Sequence, residues 1–114
     1  MPVFALRLPA SQVSVTVIYD RLPPHQSLDR LASAGVTTGS TCANRSHASE
    51  PFVDRAGLDD ARRQIVFDPQ TSSGLLLAVA ADAAPALQEA PLASGHRAVD
   101  LGELIAGSPR CELR

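Results

Sequence analysis

Residues 75–80 form a continuous apolar run, Leu-Leu-Leu-Ala-Val-Ala, opened by Gly74 and preceded by a helical repeat that Pro69 brings to an end. A run this short bounded by a breaker reads as a strand buried on both faces, so the chain is expected to build its sheet around it as the central strand. The preceding repeat places Leu58, Ala61, Ile65 and Val66 on one helix face, with Asp59 and Asp60 in the first turn, where acidic side chains complement the macrodipole. Pro69 disfavours helical dihedrals at Asp68, so the helix must stop there.

The remaining pattern supplies partners for that strand. Residues 12–19 alternate Val13, Val15, Val17 and Tyr19 against Ser14 and Thr16, the period of a strand with one face on a core. Leu28, Leu31 and Ala32 repeat at helical spacing up to Gly35, which suits a left-handed cap. Residues 36–57, rich in Thr, Ser, Asn and Gly and without a period, read as one long loop holding at most a helical turn. Asp82 is placed to cap a helix reaching about Ala90, with Pro85 in its first turn and Pro91 closing it. Residues 99–105 and 110–113 read as two final strands joined by the turn Ala106-Gly107-Ser108-Pro109. The expected class is α+β, helices packed on a mixed sheet, in one domain spanning residues 1–114. With aromatics at 4% of the chain, the core has to come from Leu, Val, Ile and Ala.

Charge narrows the function classes. All ten basic residues are arginine, so the P-loop lysine, a Schiff-base lysine and an amine nucleophile are all missing from these 114 residues. Without a basic stripe to follow a phosphate backbone, nucleic-acid binding is not expected. Cys42 and Cys111 lie far apart with no CxxC pairing, which suits free thiols in a reducing compartment rather than a zinc or redox site. His25 and His96 have no ligand-spaced partners, so no metal site is assigned. Arg7 and Pro9 interrupt the apolar amino-terminal stretch, and no segment approaches the ~18 apolar residues of a membrane span, so a cytoplasmic protein without membrane partners is expected.

Several constellations invite chemistry. Thr71-Ser72-Ser73-Gly74 offers hydroxyls and amides to an anion, but it leads into a strand, whereas phosphate cradles usually feed a helix amino terminus. A turn that caps the helix end and fixes strand register is the better reading. Cys42, His47 and Asp54 would make a nucleophile, base and orienting group only if the long loop folded back on itself; a surface cysteine beside a solvated histidine is the simpler reading. Asp59, Asp60, Arg62 and Arg63 read as a solvated charged face.

The string from Asp68 to Leu77, Asp-Pro-Gln-Thr-Ser-Ser-Gly-Leu-Leu-Leu, resembles the Asp-Pro-Gln-Thr-Ser-Gly-Gly-Leu-Leu signature of the selenophosphate synthetases (selenide, water dikinases). Ala34-Gly35-Val36, then Gly39-Ser40-Thr41 followed by Asn44, resemble that family's Gly-Gly-Thr loop and its asparagine, and Leu101-Gly102-Glu103-Leu104 resembles its Ile-Gly-Glu-Val strand. Ser73 and Ser40 stand where the family has glycine. The resemblance implies the carboxy-terminal α/β domain of the aminoimidazole ribonucleotide synthetase-like proteins. Their amino-terminal domain binds ATP with magnesium and dimerises, and in this family it transfers the γ-phosphate to selenide, giving selenophosphate, AMP and phosphate. The family's catalytic residues and magnesium-binding aspartates precede the matching region, so no catalytic, cofactor or metal residue maps onto this chain. The resemblance leaves Asn44, Asp68, Gln70 and Thr71 as structural candidates at the face turned toward the ATP-binding partner domain. The alternative is a free-standing interaction module or a non-catalytic remnant.

Overall fold

The computed structural model describes residues 11–48, 52–69, 75–93, 95 and 97–114. In chain order the elements are β1 (Val13–Val17), a single 3-10 turn (Tyr19–Arg21), α1 (Leu28–Ser33), α2 (Gly39–Ala48), β2 (Phe52–Asp54), α3 (Asp60–Phe67), α4 (Ala84–Ala93), β3 (Gly102–Ala106) and β4 (Arg110–Leu113). The strands make one mixed sheet in the order β2-β4-β1-β3, with β1 antiparallel to β3 and parallel to β4, and β2 parallel to β4. This is the α+β architecture expected from the sequence.

Alternation decides which face is the core. Val15 and Val17 of β1 stand level with Cys111 and Leu113 of β4, and Phe52 of β2 stands level with Cys111. These side chains meet Ala48, Leu58, Val66 and Phe67 from the helical side, and Leu113, with 0% exposure, is the most enclosed of them. Phe52 and Phe67 cross edge to face with ring centroids 5.0 Å apart. The helices α1 and α2 both lean on α3, so these three form one layer on the core face.

The two final strands are not neighbours, because β1 lies between them. Their short connection therefore passes the start of β1, where the Gly107 N–H donates to the Gln12 carbonyl (3.1 Å) and Ser14 Oγ donates to the Ser108 carbonyl (2.5 Å). At the other end of β3, Gly102 has φ 152°, and a Cβ there would sit 1.9 Å from the Thr16 carbonyl oxygen. Only glycine lets the two backbones approach this closely. Gly35 takes the left-handed cap that its position suggests, with φ 75°, and the Val36 N–H returns to the Leu31 carbonyl at 3.0 Å.

Three local expectations need correction. The stretch 36–57 is not one loop, since it contains α2 and β2. Its polar composition hides a helical face of small residues, Thr41 and Ala48 buried and Asn44 half-buried at i, i+3 and i+7, and packing on α3 overrides weak propensity. The apolar run 75–80 is not a strand: it has no sheet partner, all its residues are exposed, and Leu75 is 89% exposed. The centre of the sheet is β4 and β1, each already paired on both sides, so no internal position is open to a further strand. Finally, α4 begins at Ala84 rather than under an Asp82 cap and continues past Pro91 to Ala93.

Candidate functional site

The carboxy-terminal end of α3 is where the sequence places the signature, and the helix is built to end there. Asp59 caps its start, Oδ1 accepting the Arg62 N–H at 2.8 Å. At its end Asp68 is already extended, with φ −64° and ψ 132°, and its N–H reaches back to the Ile65 carbonyl at 3.3 Å. The Phe67 carbonyl, left without an intrahelical donor, accepts from Asn44 Nδ2 of α2 at 2.9 Å. Asn44 and Asp68 are thus brought to adjacent backbone positions of one helix end. Gln70 and Thr71 lie outside the described residues, as does the remainder of the 71–74 hydroxyl cluster.

The neighbouring Gly39-Ser40-Thr41 opens α2 rather than forming a loop, with Thr41 buried and its Oγ1 3.0 Å from Thr38 Oγ1. Gln64 Nε2 donates to the Val36 carbonyl at 2.6 Å, tying α3 to the segment that follows α1. The Asn44 and Gln64 bonds both end on α3, which makes it the post that positions both the Gly-Ser-Thr segment and the Asp68-Pro69 exit.

The charged face on α3 is more than solvated. Arg63 turns toward the sheet, Nη2 donating to Asp54 Oδ2 at 2.8 Å and to the Leu58 carbonyl at 3.0 Å, while its Nε is buried without a partner among the described residues. Burial alone would raise the Asp54 pKa, but the hydrogen bonds from Arg63 and the Gly57 N–H hold it below the usual carboxylate value. Arg63 and Asp54, with Arg45, Phe52 and Phe67, line a small open cleft of about 310 Å³. A larger groove of about 540 Å³ runs between the 3-10 turn, α1 and α3, past Tyr19, Asp29, Asp59 and Arg62. Burial, and then the nearby Asp29, push the Tyr19 hydroxyl pKa upward, which keeps it protonated and a donor at neutral pH.

Nucleophilic chemistry is not assembled. Cys42 and His47 are both exposed on α2, five residues apart and so on different faces, and His47 Nδ1 lies 3.1 Å from the Ala43 carbonyl instead. Cys111 is buried, and that burial pushes its pKa to about 11. Among the described residues no three His, Cys, Asp or Glu side chains gather as a metal site, and no helix is long and apolar enough to cross a membrane. His96 lies outside the described residues.

Sequence reasoning missed the contribution of α2 and the Arg63–Asp54 pair. The first was legible in the i, i+3, i+7 spacing of Thr41, Asn44 and Ala48. The second joins β2 to α3 and has no local signal.

Comparison with known proteins places these features. The chain is 31% identical over 104 residues to the selenide, water dikinase of Myxococcus xanthus, 91% of this chain and 30% of the relative. It is 32% identical over 105 residues to that of Rhizobium meliloti, again 91% of this chain and 30% of the relative. The selenide, water dikinase of Pseudomonas straminea is 30% identical over 101 residues, 88% of this chain and 28% of the relative. The chain therefore spans about three-tenths of the length of the curated relatives it matches. No protein-family model matches it.

Proposed function

The chain belongs with the selenide, water dikinases, and from that premise we propose that it is the carboxy-terminal scaffold domain of such an enzyme, acting only together with an ATP-binding domain. In this reading the whole assembly transfers the γ-phosphate of ATP to selenide and uses water to split the remaining diphosphate, so that selenophosphate, AMP and phosphate are the products, with magnesium as the ion that neutralises the phosphates. ATP and magnesium belong to the partner domain. Within this chain Asn44 and Asp68 shape the backbone at the end of α3, and in this reading neither they nor Gln70 and Thr71 take part in bond making.

The observation that carries the reading is the exposed apolar surface that begins within the last residues of the signature. Leu75, Leu76, Leu77 and Val79 are exposed together, and Leu104 and Ile105 of the edge strand β3 add to the uncovered side chains. Contiguous apolar exposure of this kind marks an interaction surface rather than a finished exterior. The occupant is the part of the family protein that this chain does not span, some seven-tenths of the length of its relatives.

The test is reconstitution. The chain is mixed with the complementary portion of the Myxococcus xanthus relative, and selenophosphate is followed by phosphorus NMR in the presence of selenide and magnesium-ATP. Product from the mixture but from neither part alone is the expected result. Equal turnover by the complementary portion without this chain would contradict it and favour a remnant without a role in turnover.

A further inference from the structure

The face of the sheet opposite α1, α2 and α3 carries a charge arrangement that the preceding reading does not use. Arg110, Glu112 and Arg114 alternate along β4 and so share that face, pointing away from the side of Cys111 and Leu113. Arg55, which follows β2, joins them from the neighbouring strand. Both strand ends are fixed by the backbone: the Arg55 N–H donates to the Leu113 carbonyl at 2.8 Å, and the Arg114 N–H to the Val17 carbonyl at 2.9 Å.

The three guanidiniums converge on one enclosed carboxylate. Arg114 Nε lies 2.6 Å from Glu112 Oε1, and Arg55 Nε and an Arg110 Nη lie 3.6 and 3.9 Å from Oε2. The Glu112 side chain is 6% exposed, whereas those of Arg55, Arg110 and Arg114 are 61%, 52% and 62% exposed. The hydrogen bond from Arg114, together with the positive charge of Arg114, Arg55 and Arg110, outweighs desolvation and holds the Glu112 pKa below the usual value. Glu112 is therefore ionised and already satisfied, and it is too enclosed for a solute to reach. It acts as an anchor that gathers three cations and leaves their outer edges facing solvent.

The charge count is uneven. Three positive groups surround one negative group, and the other carboxylate on this face, Glu103, is level with Thr16 on β3, two strands from Glu112 and so roughly 10 Å away. The contacts of Arg55 and Arg110 with Glu112, at 3.6 and 3.9 Å, are longer than hydrogen bonds, and both side chains are more than half exposed, which leaves N–H donors facing solvent. Guanidinium groups fixed side by side with unused donors suit a tetrahedral oxyanion, which accepts paired N–H bonds along its edges.

We propose that Arg55, Arg110 and Arg114, gathered by Glu112, form a binding site for a phosphate group on the face of the sheet turned away from Cys111 and Leu113. The site rests on the charge and geometry of this face and not on the family reading. It is separate from the end of α3, whose residues approach the opposite face of the sheet. Glu112 is a positioning residue and does not touch the ligand.

The experiment is a titration of the 114-residue chain with inorganic pyrophosphate and, separately, with ADP at low ionic strength, followed by nitrogen-resolved amide NMR. Saturable shifts confined to the amides around residues 55 and 110–114 are expected. Affinity should fall by about tenfold or more in Arg55→Gln and in Arg110→Gln, the loss of one charge-assisted pair. It should stay unchanged in Arg30→Gln, which alters an exposed arginine of α1. Equal affinity for both ligands assigns the bare anion, and tighter binding of ADP assigns a nucleotide phosphate as its source. Shifts that never saturate, that centre elsewhere, or that weaken equally in all three variants would overturn the proposal.

Discussion

Replacing Asn44 with aspartate isolates the bond that ties α2 to the end of α3. The two side chains have the same shape and closely similar helix propensity, so the substitution changes little except the group facing the Phe67 carbonyl 2.9 Å away. At neutral pH an N–H donor becomes a carboxylate oxygen. The lost hydrogen bond is worth about 1 kcal/mol, and the partly buried carbonyl left facing an anion adds about 1 kcal/mol more. A total near 2 kcal/mol lowers the melting temperature of a domain this size by roughly 8 °C. The loss carries a pH signature, because a protonated carboxyl group donates again. The gap between Asn44→Asp and the parent should therefore narrow as pH falls below about 4. Asn44→Ala should be milder, since alanine recovers about 0.6 kcal/mol of helix propensity against the bond it loses. Urea unfolding at pH 7 and pH 4 measures both quantities. An aspartate variant within ~0.3 kcal/mol of the parent at pH 7, below what removing a buried bond allows, would refute the assignment of Asn44 as the donor that holds this helix end.

Other expectations follow from single contacts. Gly102→Ala forces a Cβ into the Thr16 carbonyl and should cost more than the ~1 kcal/mol of an ordinary glycine-to-alanine change, read as a lower urea midpoint. Under native conditions an aromatic disulfide reagent should modify exposed Cys42 quickly and buried Cys111 only after denaturant is added; rapid modification of both would show that the β4 core face opens. Asp54 and Glu112 both have folded-state pKa values below those of the unfolded chain. Their contribution is thus complete above about pH 4.5 and lost as pH falls through the lower folded values. Removing the Asp54 partner with Arg63→Met should flatten the acid limb of the stability curve, and an unchanged limb would exclude that pair as a source of it.

Much of the architecture was legible because it rests on local periodicity. The alternation of β1, the stop at Asp68-Pro69, the left-handed Gly35 and the span of β4 all follow from short-range sterics and hydrogen bonding, whereas Asp59, expected inside the first turn of α3, is its cap. What was not legible depends on contacts between distant segments. The helix α2 forms from residues of poor propensity because Thr41, Asn44 and Ala48 find α3, and the run 75–80 looks like a buried strand only when its neighbours are unknown. Since β3 occupies the position beside β1, the apolar run is left outside the sheet. At the candidate site, sequence identified the helix end but not the Asn44 to Phe67 bond that joins its two halves. The arginine set around Glu112 is spread over β2 and β4 and becomes visible only once the sheet order is known.

The central claim is that the apolar surface at residues 75–79 docks the part of the family protein that this chain does not span. Its most direct test is calorimetric titration of the chain with the complementary portion of the Myxococcus xanthus relative, repeated at several temperatures and with Leu75→Asp and Leu77→Asp. Saturable association with a negative heat-capacity change, abolished or severely weakened by either aspartate, is the predicted result. No association, or association that both aspartate variants leave intact, would contradict the account.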